Sequence, residues 1–183
     1  EYNYSPCIDD QEIRINDVKP TIELVESSSI EVKYRITFDT AVPSKVVDHH
    51  RSQETKPLRI ITDVSLKAHS QTVDFETTIE NHSCDHIVRV AFDDIYTSKQ
   101  NCSQDQLGTI IRDNVITNKK GIENGATEYV LPIYAMQRFV KLNHQNAIMS
   151  LLSQGPLEYE VENYQIICLT LLISVGKIGK ADL

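Results

Sequence analysis

Residues 30–38 read IEVKYRITF, and apolar side chains alternate with polar ones at every position of this stretch. Successive side chains of a β-strand point to opposite faces of the sheet, so a period of two predicts a strand with one face in the core and the other in water. The pattern recurs over residues 73–79 and 88–92, and in a weaker form over residues 64–68. No stretch carries the spacing of an amphipathic helix, so the alternation predicts an all-β protein.

Turn signals separate the predicted strands at short intervals. Residues 81–85 lie between two of them like a hairpin turn, and an Asn-Gly pair at 124–125 and a Gly-Pro pair at 155–156 are further turn signals. Many short strands with frequent turns are typical of an antiparallel two-layer β-sandwich. We therefore predict a single β-sandwich domain over residues 1–183.

Four stretches depart from the alternation. Residues 42–57 carry many charges and residues 96–108 are mostly polar, and we predict that both are long surface loops. Residues 166–175 are apolar on both faces, which predicts a strand buried between layers or covered by a partner. Residues 147–152 are also apolar at nearly every position, so we expect the two apolar runs to expose a surface for a missing domain and to promote a homodimer.

The charge of the chain argues against two classes of partner. Its 183 residues include 26 acidic and 18 basic ones, for a net charge of -8. Nucleic acid requires a cationic face and an anionic membrane repels such a chain, so neither partner is expected. The longest uncharged apolar run, residues 166–175, is too short to span a bilayer.

The N-terminus predicts that the chain is part of a longer protein. It begins EYNY, without an initiator Met, a basic start or an apolar stretch, so no signal peptide is expected. The chemistry of an enzyme can then lie in a part of the polypeptide that this sequence does not include.

The strongest metal-site candidate is the group His82, Cys84 and His86. These side chains would share one face of a strand, and their types suit zinc. The alternative is a turn followed by the start of a strand, and we expect no metal in this chain because no fourth ligand is evident nearby. The cysteines form no CxxC pair and are interpreted as reduced thiols. They are Cys7, Cys84, Cys102 and Cys168.

No catalytic constellation is evident from the residue types and their spacing. The pairs at 9–10 and 93–94 are adjacent aspartates, so on strands their carboxylates point to opposite faces. Serine nucleophile elbows, phosphate-binding glycine loops and HExxH motifs are absent. The lack of Trp argues against an independent sugar-binding module, because Trp is the largest platform on which a sugar stacks.

Five segments match a known series of motifs in order. They are NHSCDHIVRVAF (81–92), GTIIRD (108–113), PIYAMQRFV (132–140), IMSLLSQGPLEYEV (148–161) and LTLLISVG (169–176). Together they resemble the C-terminal β-domain of glycoside hydrolase family 38, the α-mannosidases, with motifs such as D-H-x-x-R-V-x-F, R-F-V and E-Y-E-V. Gly108 replaces the usual aromatic residue of the second segment, and Ile173 replaces the usual Arg of the last.

The resemblance implies a parent enzyme of known type. Family 38 contains retaining α-mannosidases and mannosylglycerate hydrolases, with zinc held by two His and two Asp, and an Asp nucleophile, in an N-terminal α/β barrel that is absent here. The β-sandwich, which resembles the galactose-mutarotase-like supersandwich, packs on that barrel and helps to close the sugar site.

The resemblance also implies four site residues. By their motifs, Arg138, Gly155, Glu158 and Tyr159 are expected at the rim of the substrate site or in contact with the catalytic domain. The residues alone suggest a structural alternative. In it Tyr159 belongs to the core, Glu158 is a solvated edge residue and Arg138 forms a surface ion pair.

We therefore predict the non-catalytic C-terminal domain of a bacterial, cytoplasmic α-mannosidase-type hydrolase. This chain is expected to be inactive by itself and to hold no cofactor, with zinc in the missing catalytic domain. Its predicted partners are the catalytic barrel of the same parent chain, a mannose-containing carbohydrate and a second copy of itself. Two alternatives stay open: an independent carbohydrate- or protein-binding module, and a complete small enzyme.

Overall fold

The structure, a computed structural model, describes residues 7, 9–10, 12–14, 18–114, 132–143 and 148–175. Within these ranges every regular element is a β-strand, and the strand pairs of known register run antiparallel. The all-β, antiparallel prediction is confirmed. The strands are β1 (Thr21–Ser27), β2 (Glu31–Pro43), β3 (Val46–Val47), β4 (His50–Arg51), β5 (Thr55–Lys67), β6 (Val73–Asn81), β7 (His86–Asp93), β8 (Gln100–Asp105), β9 (Gly108–Asp113), β10 (Ile133–Ala135), β11 (Phe139–Asn143), β12 (Ile148–Leu152), β13 (Glu158–Glu162) and β14 (Ile166–Ser174).

The strands are distributed over two compact units of the chain. Unit 1 comprises residues 1–86 and 174–183, and unit 2 comprises residues 87–173. Unit 1 contains a four-stranded sheet of order β1-β2-β5-β6 and the two-stranded ribbon β3-β4. Unit 2 contains two four-stranded sheets, β10-β13-β14-β7 and β12-β11-β8-β9. The single-domain assignment over residues 1–183 stays a prediction.

The sheet of unit 1 follows the alternation of the sequence. Strands β2 and β5 are paired continuously from Glu31 opposite Lys67 to Pro43 opposite Thr55. Because directly opposite residues lie on the same face, the apolar set of each strand joins the apolar set of its neighbours. The strands predicted over 30–38, 64–68 and 73–79 are therefore present as parts of β2, β5 and β6.

Unit 2 has the architecture of a two-layer sandwich. Its core joins side chains from both sheets and from the turn before β11, which is what face-to-face packing of two sheets requires. The buried members of this core are Met136, Val140, Leu142, Tyr159, Val161, Ile167 and Leu169. The sandwich prediction is thus confirmed, with its core in the second half of the chain.

The predicted surface loop over residues 96–108 is wrong. This stretch contains β8, a central strand of its sheet, and the side chains of Asn101, Cys102 and Ser103 on it are buried. The prediction assumed that polar side chains face water. Here the polar groups are buried because other side chains of the core bind them, as described below.

Two further expectations in unit 1 need correction. Residues 42–57 are not one long loop, because β2 extends to Pro43, β3 and β4 form a short ribbon, and Val42 is buried. Residues 81–85 do not close a hairpin, because β6 pairs with β5 whereas β7 belongs to a different sheet, beside β14. The turn signal there marks a change of sheet.

The apolar strand predicted over 166–175 is present as β14, between β13 and β7. Its residues from Ile167 to Thr170 are buried on both faces, so the middle of this run is covered within the chain. Among the described residues of the two apolar runs, the exposed large apolar side chains are Leu152, Ile173 and Val175, at the C-terminal end of each run. The predicted turn at 124–125 lies outside the described residues. Among the described elements, no helix long and apolar enough to cross a membrane occurs.

Candidate functional site

Two loops at one end of the unit 2 sandwich are tied together by hydrogen bonds. The loop between β10 and β11 donates from the Met136 backbone N–H to the Leu157 carbonyl at 2.8 Å. The loop between β12 and β13 donates in return from the Ser153 N–H to the Arg138 carbonyl at 2.6 Å. Met136 is buried in the core, so its side chain fixes the two loops to the sandwich. We call residues 136–138 and 153–157 the loop pair.

The turn of the second loop is organised by one hydroxyl. Ser153 Oγ donates to the Pro156 carbonyl at 2.6 Å and accepts from the Gly155 N–H at 3.3 Å. A Cβ added at Gly155 would meet no heavy atom within 4 Å, so open space borders this residue. Gly155 therefore lies on an ordered turn with free surface above it.

The loop pair and the adjoining end of β12 present an apolar surface beside a cation. Leu152 is 73% exposed, Leu157 is 64% exposed, and Arg138 is exposed as well. These side chains line one open depression together with Gln137, Ser153 and Gln154. No hydrogen bond or ion pair of the Arg138 side chain occurs among the described residues, so the ion pair of the structural alternative is not formed there.

Tyr159 lies away from this surface, in the core of the sandwich. Its side chain is fully buried, and its hydroxyl contacts Asn101 Oδ1 at 2.5 Å and Ser103 Oγ at 3.1 Å. Burial raises the pKa of the Tyr159 hydroxyl, which therefore stays protonated. A side chain in this position supports the packing of the two sheets and does not contact a ligand at the surface.

Arg112 completes the buried network from β9. Its guanidinium donates to Ser103 Oγ at 2.6 Å and to the Tyr159 oxygen at 3.4 Å. The same guanidinium lies over the ring of Tyr134, 4.9 Å from the ring centroid, and the rings of Tyr134 and Tyr159 are 5.6 Å apart. The Arg of the GTIIRD segment is thus held by a cation–π contact and two hydroxyls.

Glu158 lies on the opposite face of β13 from Tyr159. It accepts a hydrogen bond of 2.6 Å from Thr170 Oγ1 on β14 and is half-buried, so it is not a freely solvated edge residue. Glu160 on the same face forms a 2.6 Å ion pair with Arg89 of β7. Burial raises the pKa of Glu160 more strongly than the Arg89 cation lowers it.

The four residues implied by the resemblance therefore separate into three places. Arg138 and Gly155 come together on the loop pair, Glu158 lies on the outer face of a sheet, and Tyr159 is in the core. The network around Tyr159 also contains Asn101, which sequence reasoning missed within a predicted loop. The sequence does contain a signal for this position. The polar residues Asn101 and Ser103 are two residues apart on either side of Cys102, so on a strand their side chains share one face.

The candidate zinc ligands His82, Cys84 and His86 are not brought together as a group. No group of three or more His, Cys, Asp or Glu that could hold an ion occurs among the described residues, which include His82, Cys84 and His86. His86 Nδ1 instead lies 3.3 Å from the Cys84 carbonyl, in a local turn contact. We assign no catalytic step in this chain to zinc.

The four cysteines are unpaired, as the interpretation as reduced thiols predicted. Cys102 and Cys168 are buried, whereas Cys7 and Cys84 are half-buried. Burial, together with nearby glutamates, raises the pKa of Cys168 to about 12. A thiol of this kind is inert as a nucleophile at neutral pH.

The family described as "Glycosyl hydrolases family 38 C-terminal domain" matches residues 1–176. The chain belongs to glycosyl hydrolase family 38, as a C-terminal domain. The family predicted from the five motif segments is thereby confirmed.

Two solved structures of family 38 are similar in fold and sequence. An alpha-mannosidase from Enterococcus faecalis V583 has a TM-score of 0.85 and 25% identity, over 97% of this chain and 21% of that one. A protein in the Glycosyl Hydrolase Family 38 from Enterococcus faecalis has a TM-score of 0.81 and 25% identity, again over 97% and 21%. The family 38 chain described here thus spans about a fifth of the length of these two proteins. No curated protein sequence matches it.

Proposed function

We propose that this family 38 domain is the non-catalytic β-domain of a retaining α-mannosidase-type hydrolase. In this proposal it packs on the catalytic domain of the same polypeptide, and the loop pair faces that domain at the rim of the sugar site. The similarity to the alpha-mannosidase from Enterococcus faecalis supports the proposed α-mannosidase activity of the parent protein, because the match covers 97% of this chain at 25% identity. The predicted bacterial source and cytoplasmic location stay predictions.

The surface of the loop pair carries the proposal. The buried centres of protein interfaces are more apolar than the rest of the surface, Arg is enriched in them, and their rims are polar. Arg138 stands beside the exposed Leu152 and Leu157, on loops that four backbone and hydroxyl hydrogen bonds hold in place. A preordered surface of this composition binds a partner with little loss of conformational entropy.

The hydrolytic chemistry is assigned to the catalytic domain. Hydrolysis with retention uses two carboxyl groups about 5 Å apart on either side of the glycosidic bond. Of the three glutamates on β13, Glu158 accepts a hydrogen bond from Thr170 and Glu160 forms an ion pair with Arg89. We propose that zinc and the nucleophile belong to the catalytic domain and that a mannose-containing sugar is the substrate.

The proposal is tested with a family 38 polypeptide that contains this chain. We expect the long polypeptide to hydrolyse an aryl α-mannoside, and the 183-residue chain to show no turnover with or without added zinc. In the long polypeptide, Arg138→Ala should lower kcat/KM by about tenfold, equivalent to about 1.4 kcal/mol at an interface position. The control is Arg59→Ala, which removes an exposed arginine paired with Asp39 on a solvated sheet face.

Two outcomes would contradict the proposal. Turnover by the purified 183-residue chain would make it a complete enzyme. Binding of a mannoside by the chain alone, measured by calorimetry, with unchanged activity of the Arg138→Ala polypeptide, would favour an independent carbohydrate-binding module.

A further inference from the structure

The four-stranded sheet of unit 1 has two chemically different faces. Leu24 on β1, Tyr34 on β2 and Val64 on β5 are directly opposite one another in the register and form an apolar row across the sheet. Val32, Leu66 and Val73 form the neighbouring row on the same face. The other face carries the charged residues of the alternation. We call the part of the apolar face around these two rows the open face. It consists of Ile22, Leu24, Val32, Tyr34, Leu66 and Val73.

The apolar face is exposed in this part of the sheet. Ile22 is 61% exposed, Leu24 is 56% exposed and Leu66 is 48% exposed. With strands about 4.8 Å apart and about 3.4 Å per residue, each same-face position takes up about 33 Å², so the six residues of the open face cover about 200 Å². Contiguous apolar patches that approach a few hundred Å² on a monomer are often functional.

The opposite face carries charges that are paired with one another across the strands. Arg35 and Asp63 form an ion pair at 2.7 Å across β2 and β5, and Arg59 and Asp39 form a second one at 2.7 Å. Antiparallel sheets commonly have one solvated face and one face packed against another layer. Paired charges suit the solvated face of such a sheet, so the open face is the side on which a second layer is expected.

Two hydroxyl groups on the apolar face are hydrogen-bonded to each other. Thr62 and Thr77 are directly opposite each other on this face, and their hydroxyls are hydrogen-bonded at 3.0 Å. A buried hydroxyl without a partner costs free energy, and this pair satisfies each member without water. A covering layer can therefore exclude water from this part of the face without leaving these two hydroxyls unpaired.

We propose that the open face is covered by an apolar layer from another part of a family 38 polypeptide that contains this chain. This inference rests on the proposed function, since it takes the chain as one domain of a longer enzyme. The occupant is chosen because the chain spans only 21% of the length of the two similar family 38 proteins, which leaves most of such a polypeptide available to cover it. The open face belongs to unit 1, so it is a second docking surface in addition to the loop pair of unit 2.

The test measures the reactivity of cysteines placed on the two faces of this sheet. Leu24→Cys and Leu66→Cys report on the open face, and Glu23→Cys and Lys67→Cys are matched controls, one residue away on the charged face. Each variant is prepared in the 183-residue chain and in the long polypeptide. Maleimide labelling of each site is followed by peptide mass spectrometry, which separates the new cysteine from the four native ones.

We expect both open-face cysteines to react at least about tenfold more slowly in the long polypeptide than in the short chain, because a cysteine buried under a second layer reacts only after local opening. The control cysteines should change by less than about twofold. Two open-face sites are used so that one poorly folded variant does not decide the result.

Three results would overturn the inference. Equal labelling of the open face in both proteins would mean that nothing in the long polypeptide covers it. Protection already present in the short chain at low concentration would mean that the chain covers its own face. Protection that appears only as the concentration rises would identify a second copy as the occupant. The α-mannosidase activity of the same long polypeptide is measured separately, so failure of the proposed function is distinguished from failure of this inference.

Discussion

The hydroxyl of Tyr159 donates a hydrogen bond of 2.5 Å to Asn101 Oδ1, and both side chains are fully buried. Tyr159 lies on β13 and Asn101 on β8, so this bond connects the two sheets of the unit 2 sandwich. Asn101 Nδ2 in turn donates to Asn114 Oδ1 at 2.5 Å, which extends the network to the residue that follows β9. A polar network of this kind stabilises one arrangement of the two sheets, because any other arrangement leaves buried groups unpaired.

Replacement of Tyr159 by Phe should destabilise the domain. The change keeps the ring but removes the hydroxyl, which leaves Asn101 and Ser103 with buried polar atoms that lose a partner. We expect the free energy of unfolding in urea to fall by about 1–3 kcal/mol. Tyr164→Phe is the control, because Tyr164 is exposed, and its effect should be within about 0.5 kcal/mol. Equal stability of the two variants would show that the network contributes nothing.

Replacement of Glu160 by Gln should change how stability depends on pH. The raised pKa of Glu160 means that the folded protein binds this proton more tightly than the unfolded chain does. Its stabilising contribution is therefore complete below the unfolded pKa of about 4.3 and is lost as the pH rises through the higher folded pKa. The free energy of unfolding of the wild type minus that of the variant should fall over this interval. Urea titrations of both proteins at each pH measure this difference, and the subtraction removes the contributions of the other carboxyl groups, which the two proteins share. A difference that rises with pH would contradict the raised pKa of Glu160.

The four thiols should react with iodoacetamide at very different rates at pH 8. Cys168 is buried and has a pKa of about 12, and Cys102 is also buried, so both should stay unmodified in the folded protein. The half-buried Cys7 and Cys84 should react first. Peptide mass spectrometry gives the extent at each site, and a parallel sample in guanidinium chloride should show all four modified. Early modification of Cys168 in native buffer would mean that β14 opens readily.

The purified chain should contain no stoichiometric zinc. His82, Cys84 and His86 are the residues that sequence alone suggests as ligands, but the structure gives them no converging arrangement. Elemental analysis after dialysis should find well below one zinc per chain, and the Cys84→Ala variant should give the same value. Near-stoichiometric zinc that is lost in this variant would restore the metal site.

The loop prediction over residues 96–108 shows where reasoning from sequence failed. Alternation identifies a strand only when one face is apolar, and β8 directs the polar residues Asn101 and Ser103 inward. Their partners, Tyr159 and Arg112, lie 58 and 9 residues away along the chain from Asn101 and Ser103, respectively. A local pattern carries no information about such distant partners.

The amino-acid sequence alone determined the strand character of this protein and its family. The alternation of residues 30–38 follows from local geometry, since each side chain is directed to one face or the other by the backbone. The motif segments likewise identified family 38, because their order is a property of the chain itself. Only the tertiary structure decided that Tyr159 is a core residue, that β6 and β7 belong to different sheets and that the apolar face of β2 is exposed at one end. The physical reason is that burial depends on which distant strands pack together, and the period of a strand says which side chains share a face but not what covers that face.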